Sequence, residues 1–415
     1  MCRFPLLACF IMFLLKANGQ SVDTTYLKLQ LDSIIQDGID SMAYPGAQVC
    51  VMIGGKIAYQ KSYGYHTYDR SVKVQDDHVY DLASVTKVST GLPIIMKLYG
   101  EGQLDLDRKL KDIYPEFRKG DMSKRTIRDM LAHRAGLTPY IVFWKELLDD
   151  KGRRRKNSFD FRYSRDYPIK ITDRLFLHKD YHKNMYKSIR KAEVDDPGQY
   201  RYSGLLFLMM PDLLEPYIGN DFESYLYEQL YVPMGLYSLT YKPRRRFPLD
   251  KIVPTEQDNF FRYQLVQGTV HDEAAAMLNG ISCNAGLFGN AKDLARLFQM
   301  YVNGGTLDGN RYIAQPAIQE FTRYQFPQED NRRGLGFDKP LLEYDKNASY
   351  VARDASPSSF GHSGFTGTFV WGDPEHKVVI AFLSNRVHPT RENRKLYTMS
   401  IRPKMHQVVY DAISK

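Results

Sequence analysis

The stretch Ala47-Gln48-Val49-Cys50-Val51-Met52-Ile53-Gly54-Gly55-Lys56-Ile57-Ala58-Tyr59-Gln60-Lys61-Ser62-Tyr63 sets the architecture of the chain. Two runs rich in Val, Ile and Tyr flank Gly54-Gly55, a pair free to take the positive φ angles of a two-residue hairpin turn, and so predict adjacent antiparallel strands over 47–53 and 56–63. Ahead of them Leu27, Leu29, Leu31, Ile34, Ile35 and Ile39 recur at helical spacing and predict a helix over 25–42. The far end of the chain repeats the pattern. Thr368 to Gly372 and Lys377 to Leu383 flank Asp373-Pro374-Glu375-His376, and an amphipathic segment follows from about Tyr397 to Ile413. Between the ends, residues 85–300 read mostly as helices punctuated by Gly and Pro, without internal repeats. The expectation is an α/β (α+β) fold: an antiparallel sheet flanked by helices and built from both chain ends, residues 20–80 and 291–415, with a mostly helical domain at 81–290 inserted between them.

Composition agrees with a conventional folded protein. Of 415 residues, 43% are hydrophobic and 25% charged, which excludes disordered, collagen-like and coiled-coil chains. The one strongly apolar stretch, Phe4 to Leu15, is too short to span a bilayer. With Arg3 before it and Ala17-Asn18-Gly19 behind, residues 1–19 read as a cleavable signal, which implies a secreted or periplasmic protein with no transmembrane segment in its mature form. Leu6-Leu7-Ala8-Cys9 has the look of a lipoprotein signal, but the apolar run continues past the cysteine. Only Cys50 and Cys283 remain after the signal, too few for a disulfide framework, and both read as small buried hydrophobes.

The formal charge of +9 is local. Residues 151–191 hold 14 Lys and Arg against 4 Asp, so this segment carries the entire positive excess. Its interleaved Phe159, Phe161, Tyr163, Tyr167, Tyr181 and Tyr186 would suit nucleic acid, a partner that export argues against. The segment is read as a solvated insertion or as a basic cleft wall favouring an anionic substrate. His178 and His182 share a helix face, but no third ligand type accompanies them, and no metal or other cofactor is expected.

Ser84-Val85-Thr86-Lys87 precedes an apolar run of helical period, Val88, Leu92, Ile94, Ile95 and Leu98. On a helix the serine and lysine face the same way, so the Lys87 nitrogen can reach the Ser84 hydroxyl, which is a poor nucleophile until a neighbouring base takes its proton. The start of the helix adds free N–H groups and partial positive charge. Ser188-Ile189-Arg190-Lys191 repeats the spacing, but it lies in the basic segment with no apolar helix after it.

Two further clusters accompany Ser84: Pro197 to Gly204 ahead of the apolar run Leu205 to Met210, and Gly361-His362-Ser363-Gly364-Phe365-Thr366-Gly367-Thr368 ahead of the C-terminal hairpin. Together with Asp81 to Lys87, Met130 to Leu137 and Gly286 to Leu294, they give the chain a pattern that resembles the class C β-lactamase-like serine hydrolases, with the related esterases and D-Ala-D-Ala carboxypeptidases of penicillin-binding-protein type, over residues 25–414. It looks closest to a branch found elsewhere fused to β-N-acetylhexosaminidase-type glycoside hydrolases, which also carries a long insertion where residues 140–195 lie. The resemblance implies catalytic roles for Ser84 as the acylated nucleophile, Lys87 as its proton partner and Tyr202 as general base and then acid. It places His362, Ser363 and Gly364 where the family has Lys-Thr-Gly, and an oxyanion hole at the backbone N–H groups of Ser84 and Phe365. His133 is read as a structural loop residue.

Two departures shape the functional expectation. Gly204 stands where the family has an Asn, so a side-chain amide that would hold the lysine and bind a substrate amide is missing there. His362 replaces a lysine that would bind a penicillin carboxylate, and an ordinary His is mostly neutral at pH 7. The expectation is a secreted serine hydrolase acting through an acyl-enzyme on a small acyl substrate, an ester or an anionic peptidoglycan-type amide, with weak β-lactamase activity at most. The alternative from another class is a non-catalytic cell-envelope receptor of the same fold that binds peptidoglycan fragments. An α/β-hydrolase would need Gly-x-Ser-x-Gly, and Gly361-His362-Ser363-Gly364-Phe365 lacks the last glycine.

Overall fold

The computed structural model describes residues 22–413. The stretch read as a signal, with Cys9, lies outside the described residues. Five antiparallel strands form the main sheet: β1 (Gly46–Ile53), β2 (Lys56–Gly64), β3 (Phe360–Ser363), β4 (Phe369–Asp373) and β5 (Val378–Ser384). Their order is β3-β4-β5-β1-β2, so the C-terminal hairpin docks on the N-terminal one through the β1–β5 pair, running from Ala47 opposite Ser384 to Ile53 opposite Val378. Gly54 and Gly55 make the β1–β2 turn at φ of 59° and 82°.

The central strands are buried on both faces, and their side chains alternate between two cores. Val49, Val51, Ile380 and Phe382 face one core with Leu27, Leu31 and Ile35 of α1 (Thr24–Asp40) and Met405 and Val409 of the C-terminal helix (Ile401–Ile413). Cys50, Met52, Val379, Ala381 and Leu383 face the other core with Leu294, Leu297 and Phe298 of the helix Ala291–Val302. Cys50 and Cys283 are both free and buried. The expected C-terminal helix is split at Ser400, whose φ is 53°.

The helix expected after Ser84 is also interrupted. A 3-10 turn, Ala83–Val85, leads into the single turn α2 (Thr86–Ser89), the chain swings at Thr90, and α3 runs over Gly91–Gly100. Pro93 explains the break, because it has no N–H to return to the Ser89 carbonyl. Buried tyrosines satisfy the carbonyls at the break: Tyr231 donates to Ser89 O at 2.6 Å and Tyr301 to Val88 O at 2.8 Å. The middle of the chain also contains three small sheets of two- to four-residue strands alongside its helices: 80–81 with 287–289 and 240–241, 159–160 with 175–177 and 169–172, and 256–258 with 264–266. Among the described residues no helix is long and apolar enough to cross a membrane.

Candidate active site

Ser84 is held by its neighbours rather than by a long helix. The preceding Ala83 has a φ of 46°, a left-handed conformation that a side chain disfavours. Its N–H donates to the buried Asp81 carboxylate at 2.8 Å, and the other Asp81 oxygen accepts His271 N–H at 2.7 Å. Burial pushes the Asp81 pKa up, and these two backbone donors pull against that shift. The loop after β3 closes over the same turn. Thr366 Oγ1 donates to Asp81 O at 2.8 Å and Thr368 Oγ1 to Leu82 O at 2.9 Å. A side chain at Gly364 would lie 2.5 Å from Leu82 O and 3.2 Å from Ala83 Cβ, so only glycine permits this approach. Buried Arg402 secures the loop from behind by donating to Gly364 O and Thr368 O.

Lys87 is buried, and its Nζ donates to Ser84 Oγ at 3.1 Å and to the main-chain oxygen of Asn284 at 3.1 Å. The ammonium lies 5.4 Å from the Tyr202 ring centre and 5.5 Å from that of Phe207. Tyr202 sits on a short stretch braced from both sides. His133 accepts Ser203 N–H at Nδ1 (3.2 Å) and Arg201 N–H at its carbonyl (2.7 Å), and its ring packs 4.4 Å from that of Tyr202. Ser203 Oγ donates to Thr138 O, and Gly204 N–H to Pro139 O.

These groups open onto a cavity of about 670 Å³. Ser84, Lys87, Tyr202, Gly204 and Phe365 line it. Its wall is largely apolar, from Ile141, Phe143, Trp144, Leu205, Leu208 and Phe260, with His271, Glu273 and Arg391 at one side. Arg391 is engaged there by Glu256 and Glu273; burial works to raise the Glu256 pKa, but the hydrogen bonds from His271 and then Arg391 hold its carboxyl down at about 2. Neither the Ser84 nor the Phe365 N–H donates a hydrogen bond among the described residues.

His362, Ser363 and Gly364 are not part of the cavity lining. His362 lies buried on the edge strand β3, its Nδ1 2.8 Å from Ser363 O and its ring centre 6.2 Å from that of Tyr202. Burial, reinforced by Arg333 and Lys87, lowers its pKa to about 3, so it is neutral across the physiological range.

The basic segment requires a correction. The insertion contributes to the cavity through residues 140–145, beside Pro139, whereas none of residues 151–191 lines it. The charged part folds outward into a small sheet and the helix Asp180–Arg190, and Arg153 to Lys156 face an exposed hollow of their own. Of the lining residues that escaped the sequence reading, Asp272 and Asn284 belong to the surroundings of the Lys87 ammonium, Asn284 through its own carbonyl. Asn284 Nδ2 donates to Asp272 Oδ2 at 3.3 Å, and Asp272 Oδ1 caps a helix by accepting Ala275 N–H at 2.8 Å. No local sequence signal marks them, because their place beside Lys87 is made by folding.

The family model described as Beta-lactamase matches residues 31–400. A relative from Salmonella enteritidis PT4 (strain P125109), named "Putative D-alanyl-D-alanine carboxypeptidase", is 28% identical over 398 residues, covering 88% of this chain and 84% of its own. Among solved structures, a penicillin-binding protein homolog from Caulobacter crescentus superposes with a TM-score of 0.64 at 18% identity, covering 95% of this chain and 99% of its own. A D-amino acid amidase from Ochrobactrum anthropi SV3 does so with a TM-score of 0.61 at 15% identity, covering 94% and 98%.

Proposed function

The chain belongs to the β-lactamase family of serine hydrolases, and we propose that it is an exported member that forms an acyl-enzyme on Ser84 and hydrolyses an ester or a peptidoglycan-type amide. The observation that carries this reading is the 3.1 Å hydrogen bond from Lys87 Nζ to Ser84 Oγ at the wall of a roomy, largely apolar cavity. In this mechanism Ser84 Oγ attacks the acyl carbon as its proton passes to the Lys87–Tyr202 unit. The oxyanion is received by the unspent N–H groups of Ser84 and Phe365. The leaving group takes the proton back as it departs. Water then attacks the acyl carbon, giving its proton to the same unit, and Ser84 leaves reprotonated. His362 acts in this scheme as a neutral packing and hydrogen-bonding residue, and lacks the charge to fix a penicillin carboxylate.

The apolar wall of residues 141–144, with Leu205, Leu208 and Phe260, supports an acyl or leaving group with substantial apolar surface. The carboxypeptidase name of the Salmonella relative and the amidase title of the Ochrobactrum structure agree with an amide as well as an ester substrate. The test compares Ser84→Ala with Ser363→Ala on p-nitrophenyl acetate. Ser84→Ala is expected to fall to near background and Ser363→Ala to keep most of the activity. The reverse pattern would move the nucleophile away from Ser84.

A further inference from the structure

The glycine at 204 removes the amide that the neighbouring motif would otherwise carry, yet the space is not empty. The first carbon of a side chain at Gly204 would fall inside contact distance of Asn284 Oδ1 and 3.2 Å from Asn284 Cγ. An amide therefore does stand beside Tyr202 and Lys87, delivered from a loop 80 positions further along the chain. That loop is tightly fixed. Ser282 Oγ accepts Asn284 N–H at 3.2 Å and donates to Ala285 O at 3.0 Å, and the Asn284 carbonyl receives Lys87 Nζ.

The orientation of the amide follows from its partner. Asn284 Nδ2 faces Asp272 Oδ2 at 3.3 Å and donates to it. Burial raises the Asp272 pKa, and the nearby charges of Lys87 and His271 work against that rise. With one Nδ2 hydrogen committed, Asn284 keeps a second N–H, and its Oδ1 accepts no hydrogen bond among the described residues. Asn284 lines the same cavity as Ser84, so a donor and an acceptor on one planar group stand unspent in the cavity that holds the nucleophile. That pair is the complement of a peptide-like amide, which presents one C=O and one N–H.

We infer that Asn284, accommodated by the glycine at 204, is the group that selects acyl donors bearing an amide next to the reacting carbonyl, such as N-acylamino-acyl compounds, over plain esters of the same size. This rests on the acyl-enzyme at Ser84. The Asn284 main chain supports Lys87, whereas its side chain reads the substrate, so the side chain acts through specificity.

The probes are an N-benzoylglycyl p-nitrophenyl ester and its isostere with CH₂ in place of the amide N–H. In the wild-type protein the ratio of kcat/KM for the amide donor to that for its isostere is expected to exceed one clearly, and Asn284→Ala is expected to lower that ratio about 10- to 100-fold, the loss typical of a hydrogen-bonding site deprived of one partner. Gly204→Asn combined with Asn284→Gly returns an amide to the same space and is expected to recover most of the ratio. Labelling by a fluorophosphonate to one adduct per chain reports that each variant is folded with its nucleophile in place. Equal losses on both donors in labelled Asn284→Ala protein, or a wild-type ratio near one, would overturn the inference while leaving Ser84 as the nucleophile. Undiminished hydrolysis by Ser84→Ala would instead sink the acyl-enzyme reading beneath it.

Discussion

Lys87 has to serve two masters, the Ser84 hydroxyl and the Asn284 carbonyl, each 3.1 Å away. In the proposed mechanism Tyr202, whose ring centre lies 5.4 Å from the ammonium, shares the proton with Lys87, and residues that move one proton together are strongly non-additive when removed. Lys87→Ala and Tyr202→Phe are each expected to lower kcat about 10²- to 10⁴-fold with little change in KM, and the double variant should be no worse than the poorer single by more than a few-fold. Additive losses in steady-state kinetics would assign the two residues to independent steps. At this scale the sequence was most legible where chemistry is local: Ser84 and Lys87 are three positions apart, and one helical turn settles their contact. It was least legible where a role depends on distant parts of the chain. The absence of a side chain at Gly204 was readable, but the Asn284 amide that fills its space was not.

Whole elements show the same division. Both hairpins were legible because strands of five to nine residues carry an unmistakable β pattern and Gly54-Gly55 marks a turn. The small sheets of the middle region were not, since strands of two to four residues are too short to display a period. The break at Thr90 was implicit in Pro93, although the apolar spacing suggested one continuous helix. Because Tyr301 satisfies the buried Val88 carbonyl at that break, Tyr301→Phe is expected to cost about 1 to 3 kcal/mol in chemical denaturation. The basic segment illustrates how charge in sequence can mislead about place. Since residues 151–191 stay off the cavity, exchanging Arg153, Arg154, Arg155 and Lys156 together for Gln is expected to change kcat/KM less than about three-fold, and by the same factor for an anionic and a neutral ester. A loss confined to the anionic ester, and relieved by salt, would return the segment to the cleft.

For the molecule as a whole, histidines whose pKa burial depresses, among them His66, His133, His362 and His406, weaken the fold as pH falls below 6.5. His362 and His406 are both held at about 3 by burial, against an ordinary value of 6.5. His406 Nδ1 also accepts Ala352 N–H at 3.1 Å, a bond that a protonated ring cannot make. Below pH 6.5 the unfolded chain binds protons at these sites and the folded chain does not. Their stabilising effect is therefore complete above 6.5 and is lost progressively as pH falls toward 3, by up to about 1.4 kcal/mol per pH unit for each group. Asp81 and Asp272, whose pKa values burial raises, oppose this trend in part. Thermal unfolding is expected to drop between pH 6.5 and 4, and His406→Gln, which retains an acceptor for Ala352, should flatten the slope by one group. An unchanged slope in that variant would remove His406 from the account.

The central claim is that Ser84 becomes acylated, and mass spectrometry tests it most directly. A fluorophosphonate should add one adduct per chain, and acid quenching during turnover of a p-nitrophenyl ester should trap one acyl group, with both modifications mapping to Ser84 and both absent from Ser84→Ala. Folded, ester-hydrolysing protein that carries its adduct on another residue, or that never accumulates an acyl group yet resists the fluorophosphonate, would contradict the account.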